Sequence, residues 1–376
     1  MSFNLLDRYI FKKFLSTFLF TLLIILMISV IIDFSEKIQI FLEEPITRRE
    51  ILLEYFPSFM LFISGMLWPL FTLIAVIFFT SRLAGNSEIM AMLSAGIPFN
   101  RLLRPYLYAA GLLTLVHWVG GHFILPWGQQ HLMRITYKYI DKNEDKGKTR
   151  DVHLFIAPQT KVYIGYYRKP DSTARDFRIE QYEGQQLVKL LKANNAAYQV
   201  KTGKWRLTEY QIRHFDGLKE SFQFSNTEFI DTTLNLSPDD FVDFSGQQNM
   251  MTSPELLRFI ALQRERGAGN IRKYTLEWNR RNAEPFTILI LTLIGVSLAA
   301  RKVRGGIGLH LAMGIGIGAV YILFSKFVKV FAMGNSLPAL LAAWIPNLIF
   351  LALALNRPKY ARRTHAQRHS VGASSD

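Results

Sequence analysis

The stretch FLSTFLFTLLIILMISVII, Phe14–Ile32, decides how the rest of the chain is read. It carries no charge, and about 20 such residues span a hydrocarbon core. Lipid offers backbone groups no hydrogen bonds, so the stretch must be helical. Five further apolar runs follow at Tyr55–Thr80, Tyr106–Leu125, Ala283–Ala300, Leu309–Phe324 and Leu337–Leu355. Three runs precede a mostly polar interval, residues 126–282, and three follow it. The pattern predicts an α-helical polytopic membrane protein with six transmembrane helices, three plus three, around an inserted domain. Buried helices of a soluble protein fit six such runs poorly.

Basic residues in short loops set the orientation. One side receives Arg8, Lys12, Lys13, Arg82, Arg101, Arg104, Arg301, Lys302, Arg304 and the tail residues Arg357, Lys359, Arg362, Arg363 and Arg368. The other side has Lys37, Arg48 and Arg49 among Asp33, Glu36, Glu43, Glu44, Glu50 and Glu54, and in its fifth loop only Lys326 and Lys329. Both termini are therefore expected in the cytoplasm and the inserted domain outside it. The first run is flanked by charge and lacks a small-residue cleavage site, so it reads as a retained helix. Much of the net charge of +15 then lies at membrane edges, near anionic head groups. No nucleic-acid motif accompanies it. The chain has no cysteine, so the inserted domain must rely on its own core rather than on disulfides.

That domain reads as all β. His153–Ile156, Lys161–Tyr167, Phe177–Tyr182, Lys204–His214 and Ser221–Ile230 are short and rich in aromatic or β-branched residues. Turn residues at Lys169-Pro170-Asp171, Thr202-Gly203 and Asp216-Gly217 separate several of them, a pattern that suggests a sandwich or curved sheet. Helical spacing returns at Pro254–Arg266, with Ser253 as the expected N-cap. A second helix from about Ile271 is expected to run straight into the fourth span. The expected divisions are residues 1–125, a helical half with a short connecting helix at about 86–96; 126–252, the β domain; 253–360, the helical return and second half; and 361–376, a disordered tail.

No phosphate loop, HExxH or GxSxG elbow is present, so no catalytic or metal-binding residue and no cofactor is nominated. His117, His122 and His310 stand alone within or near spans. Each is either a proton relay or a hydrogen-bonded packing residue. The fifth span holds Gly308, Ala312, Gly314 and Gly318 at spacings that let helices approach closely. The seam they form lies either between subunits or within this chain.

The second short loop is Ser87-Glu88-Ile89-Met90-Ala91-Met92-Leu93-Ser94-Ala95-Gly96-Ile97-Pro98. Asn86 or Ser87 can cap a helix, Glu88 suits its positive end, and Gly96 with Pro98 ends it. Ile89, Met90, Met92 and Leu93 give it an apolar surface, and methionine adapts well to docking partners. Such a helix either lies on the bilayer or inserts into a soluble partner.

Several segments resemble the LptF/LptG permeases of the lipopolysaccharide transporter. They are Leu6-Asp7-Arg8-Tyr9-Ile10, Trp68-Pro69-Leu70, the loop 87–96, Leu125-Pro126-Trp127-Gly128-Gln129-Gln130, Lys204-Trp205-Arg206-Leu207, Leu236-Ser237-Pro238-Asp239-Asp240 and Tyr274-Thr275-Leu276-Glu277-Trp278. The resemblance covers nearly the whole chain. The first of these segments and Pro126–Gln129 lean toward LptG.

The resemblance implies a permease subunit of an ABC transporter in the bacterial inner membrane, without enzymatic activity of its own. It implies pairing with a second LptF/LptG permease chain, an LptB-type ATPase dimer in the cytoplasm, and transfer of lipopolysaccharide to LptC-type and LptA-type periplasmic proteins. It gives the inserted domain a β-jellyroll-like form and makes loop 87–96 the coupling helix, with Glu88 facing an arginine of the ATPase. It places lipid phosphates near Lys37, Lys326 and Lys329, which otherwise read as snorkelling residues. Asp33 and Glu36 beside Lys37 depart from that pattern. A membrane receptor with a sensing β domain is the alternative, and the short cytoplasmic loops leave it no output domain.

Overall fold

The computed structural model describes residues 4–140, 149–217, 219–241, 246–267, 271–301, 306–334 and 336–356. The expected tail at 361–376 lies outside them. The chain forms two compact units, one from the residues before Arg134 and after Tyr274, the other from Arg134–Tyr274.

The first unit is helical. It contains α1 (Leu5–Glu43), a π-helical turn at Glu50–Tyr55, α2 (Phe56–Gly85), α3 (Glu88–Ser94), α4 (Phe99–Val119), a second π turn at Gly120–Ile124 and α5 (Leu125–Ile135). In the second unit, the strands are followed by α6 (Gln247–Met250) and α7 (Ser253–Glu265). The chain returns to the helical unit through α8 (Arg272–Ala283), α9 (Phe286–Ala299), α10 (Gly306–Met333) and α11 (Ala339–Asn356). The core of this unit gathers Phe14 and Phe18 of α1, Phe71, Leu73, Val76 and Ile77 of α2, Tyr106 of α4, and Ile288 and Val296 of α9. Helix α2 lies at its centre. Gly314 and Gly318 of α10 face Ile77 and Leu70 of α2, and a Cβ at Gly314 would collide with the Ile77 side chain. The close α2–α10 approach thus depends on those two glycines.

Among the described residues, four helical runs are long and apolar enough to cross a membrane: Leu5–Glu43, Glu50–Gly85, Phe99–Ile140 and Ile307–Met333. The pair α8–α9 counts as a fifth if its two bent parts are one span. Helix α11 is apolar but shorter. The straight entry expected from α8 into the fourth span is corrected: the pair bends by 46°. Pro285 follows α8 directly after Glu284, and proline has no N–H to continue the ladder. Lys326 and Lys329 were expected in a loop; both lie within α10, which continues to Met333.

Among its described residues the second unit holds six antiparallel strands: β1 (Arg150–Ala157), β2 (Thr160–Arg168), β3 (Thr173–Glu183), β4 (Gln186–Gln199), β5 (Lys204–Asp216) and β6 (Lys219–Thr232). They pair in chain order. The jellyroll-like form is therefore corrected to a meander, since jellyrolls need Greek-key crossovers. The physical reason is the tight connections, residues 158–159, 169–172, 184–185 and 200–203, which return each strand beside its predecessor. Strand β4, QLVKLLKANNAAYQ, was not anticipated. One sheet face buries Val162, Ile164, Phe177, Ala193, Trp205 and Leu207. The chain after β6 covers it: Trp205 Nε1 donates to the Leu236 carbonyl at 2.9 Å, and Phe241 stacks on Tyr167 at 3.9 Å. Asp240 accepts from the Ser237 N–H at 2.8 Å and from Arg266 Nη1 at 2.6 Å, tying that segment to the end of α7. The N-cap of α7 is Thr252 rather than Ser253, and its N–H donates to Glu255 at 2.8 Å. At the β6 edge, Arg206 makes two hydrogen bonds to Asp231, at 2.8 and 2.9 Å, and holds that carboxyl below the usual range.

Candidate coupling and lipid-contact sites

Helix α3 is short, and short helices do not persist alone in water. Its ends explain why it holds. Ser87, one of the two caps that the sequence allowed, enters in the left-handed region at φ 60° and makes no side-chain cap bond. Asn86 instead donates its side-chain amide to Glu88 at 3.2 Å. At the other end Gly96 takes φ +85°. The Gly96 N–H reaches the Leu93 carbonyl at 3.1 Å and the Ile97 N–H reaches that of Met92 at 3.2 Å. These are the two bonds of a Schellman stop, which only a residue tolerant of positive φ closes cheaply.

The helix has two faces. Ile89 is 1% exposed and belongs to the core of the helical unit, with Met92 packed against that core. Met90, at 56%, and Leu93 point outward. The expected four-residue docking surface is therefore corrected: Ile89 is an anchor, and the available apolar face is Met90 with Leu93. Spacing explains the split, since residues three apart share a helix face.

Glu88 also receives a hydrogen bond from Tyr9 of α1 at 3.3 Å. Nearby, Arg101 at the start of α4 grips buried Asp7 of α1 through both terminal nitrogens, each at 2.6 Å. Ser81 of α2 meets His310 of α10 at 2.9 Å, and both are buried. This gives His310 a packing role, one of the two readings left open for it. His117 is also buried, against Trp68.

The three candidate phosphate ligands differ. Lys37 pairs with Asp33 and donates to Tyr55 at 2.5 Å, while Tyr55 donates to Asp33 at 2.8 Å. Its charge is compensated within the chain, so Lys37 is not presented as a free cation. Lys326 and Lys329 are exposed. Lys329 lies within electrostatic reach of Glu277, Arg280 and Glu284.

Sequence reasoning missed the charged network of α8. Buried Glu277 accepts from Arg280 at 2.9 Å through two nitrogens and from Arg281 Nε at 2.9 Å, and Arg280 also pairs with Glu284. The spacing Glu277, Arg280, Arg281, Glu284 is the helical signature that could have revealed it. Two acids and two bases cancel, so Lys329 leaves net positive charge beside them.

On α10, Gly314 and Gly318 are used against α2 within the chain. A second set is not: Gly308, Ala312, Ile315, Ala319, Leu323 and Lys326 form an exposed stripe at three- and four-residue steps. A Cβ at Gly308 would meet nothing within 4 Å. The four residues expected to form one seam thus serve two faces. Among the described residues no group of three or more His, Asp or Glu could hold a metal.

Apolar helices around an inserted antiparallel sheet define a multi-pass membrane protein with one interrupting domain. Residues 8–359 match the family model for the lipopolysaccharide export system permease LptF/LptG. The lipopolysaccharide export system permease protein LptG of Haemophilus influenzae is 23% identical over 370 residues, covering 93% of this chain and 97% of its own length. The chain belongs to the LptF/LptG family of permeases, inner-membrane components of an ABC transporter for lipopolysaccharide export.

Proposed function

We propose that this chain is one half of a paired permease that draws lipopolysaccharide from the inner membrane, driven by ATP hydrolysis in a cytoplasmic partner. In this reading both termini and α3 are cytoplasmic, α11 completes six spans, and residues 126–252 form the periplasmic domain that hands lipid to an LptC-type and then an LptA-type protein. The carrying observation is the construction of α3. It is rooted by Ile89 and ended by a fixed turn, yet presents Met90, Leu93 and part of Glu88 outward. A rooted knob between two long helices can carry a partner's movement into both. An LptB-type ATPase dimer is the partner that the family supplies.

The exposed stripe of α10 supports a second permease chain. Its small residues allow close helix approach. It ends at Lys326, which would then border the space between the two chains and meet lipid phosphate. Helix α1 leaves Leu19, Leu23, Met27 and Ile31 exposed and offers a matching apolar surface.

The test is co-purification in mild detergent with an LptB-type ATPase and a second permease, followed by lipopolysaccharide-stimulated hydrolysis in nanodiscs. A tag near Asp171 should be protease-accessible in spheroplasts and one at Gly85 protected. Purification without any ATPase, or protection of the Asp171 tag, rejects the reading.

A further inference from the structure

The break between α8 and α9 leaves the backbone carbonyl of Ala283 without its helical partner. Thr287 N–H bonds the Glu284 carbonyl at 3.0 Å and Ile288 N–H bonds that of Pro285 at 3.1 Å. The carbonyl of Ala283 is thereby passed over. In an apolar surrounding such a group must find a donor. It finds Asn347 of α11, whose side-chain Nδ2 donates at 2.6 Å.

Asn347 is itself held. Its Oδ1 accepts from Thr287 of α9 at 2.8 Å and from Tyr321 of α10 at 3.0 Å, and the two hydroxyls lie 2.6 Å apart. All three side chains are buried. The two hydroxyls supply two protons for three oxygen contacts, so the cluster shares its bonds. One amide therefore joins α11, α9 and α10 to the last carbonyl of α8. On the α8 side stands the Glu277–Arg280–Arg281–Glu284 network, and Lys326 lies on α10 five residues beyond Tyr321.

We propose that Asn347 is a positioning residue for transport: it fixes the angle at which charged α8 leaves apolar α9 and ties that angle to the placement of α10. A turn of α10 that moves Tyr321 disturbs the same amide that holds Ala283. The bend is then a joint whose setting follows α10, not a passive kink. This inference rests on the proposed transport function, but its geometric part does not.

The natural chain has no cysteine, so Asn279→Cys with Ser297→Cys gives a unique spin-label pair across the bend. Asn347→Leu and Asn347→Asp both remove the amide donor, whereas Thr287→Ser keeps its hydroxyl. In nanodiscs with both partners bound, the two Asn347 variants should broaden the inter-label distance distribution. They should also cut lipid transfer about tenfold while basal ATP hydrolysis stays within about twofold. Thr287→Ser should match the parent in both readouts. An unchanged distribution in Asn347→Leu overturns the proposal. So does a parallel fall in assembly, basal hydrolysis and transfer, which marks a residue needed only for folding. If the unsubstituted complex hydrolyses ATP but moves no lipid, the transport reading fails, and the distance measurement still judges the joint.

Discussion

Arg101 and Asp7 lie 94 positions apart in sequence and form a two-pronged ion pair, with both oxygens of a buried carboxylate engaged. The pair pins the start of α4 to the start of α1, beside the short helix α3. The Asn4 N–H adds a third bond to Asp7 at 3.3 Å. Removing Arg101 leaves the buried Asp7 carboxylate without its charged partner. Arg101→Ala should therefore lower the thermal midpoint measurably. Asp7→Asn with Arg101→Gln should cost less than the two single changes summed. Additive losses in that double-mutant cycle would show that the two groups do not interact.

The two faces of α3 separate folding from docking. Ile89→Ala should destabilise the helical unit by about 2–4 kcal/mol, as truncation of a buried aliphatic side chain does. Met90→Asp should leave stability within about 0.5 kcal/mol, as expected of an exposed site, yet abolish ATPase pull-down. If Met90→Asp binds the ATPase like the parent, α3 is a bilayer-surface helix.

Glu88 tests the charge at the same site. Breaking an interfacial charge pair from one side costs roughly 2–5 kcal/mol. Glu88→Ala should weaken ATPase recruitment, and Glu88→Lys should weaken it further by setting like charges together. Tyr9→Phe removes only an exposed hydrogen bond and should have little effect. Wild-type recruitment by Glu88→Lys would remove Glu88 from the interface.

The lysines should not behave alike. Lys326→Glu reverses the charge at the end of the exposed α10 stripe and should reduce lipopolysaccharide-stimulated hydrolysis with assembly intact. Lys37→Ala frees Asp33 and Tyr55 from their partner and should lower stability more than stimulation. Equal loss of stimulation in both variants would restore Lys37 as a lipid ligand. On the same helix, Gly308→Leu should weaken permease pairing without unfolding the chain, whereas Gly314→Leu should clash with Ile77 and unfold it.

The apolar helices were legible because runs such as Phe14–Ile32 leave few alternatives, and the strands with aromatic alternation were equally plain. Strand β4 was hidden because Lys189-Leu190-Leu191-Lys192-Ala193 has no β-branched or aromatic residue; pairing with β3 and β5 overrides its local preference. The Glu284–Pro285 break was written in the chain and read through. For α3, composition identified the helix but not its orientation, because which apolar residues turn inward depends on contacts with distant segments. The compensation of Lys37 by Tyr55, 18 positions away, has the same origin.

The meander bears on how the inserted domain is made. Its strands follow one another in the order in which they emerge during synthesis. Each can pair with the strand just released, so the sheet can grow by accretion without waiting for sequence still to come. Local pairing of this kind closes only short loops and is kinetically undemanding. The exception is the cap: Leu236 and Phe241 arrive last and seal Trp205 and Tyr167. A nascent chain ending after β6 should hold protease-resistant hairpins while Trp205 remains quenchable by iodide, and protection of Trp205 should come only once Phe241 has emerged.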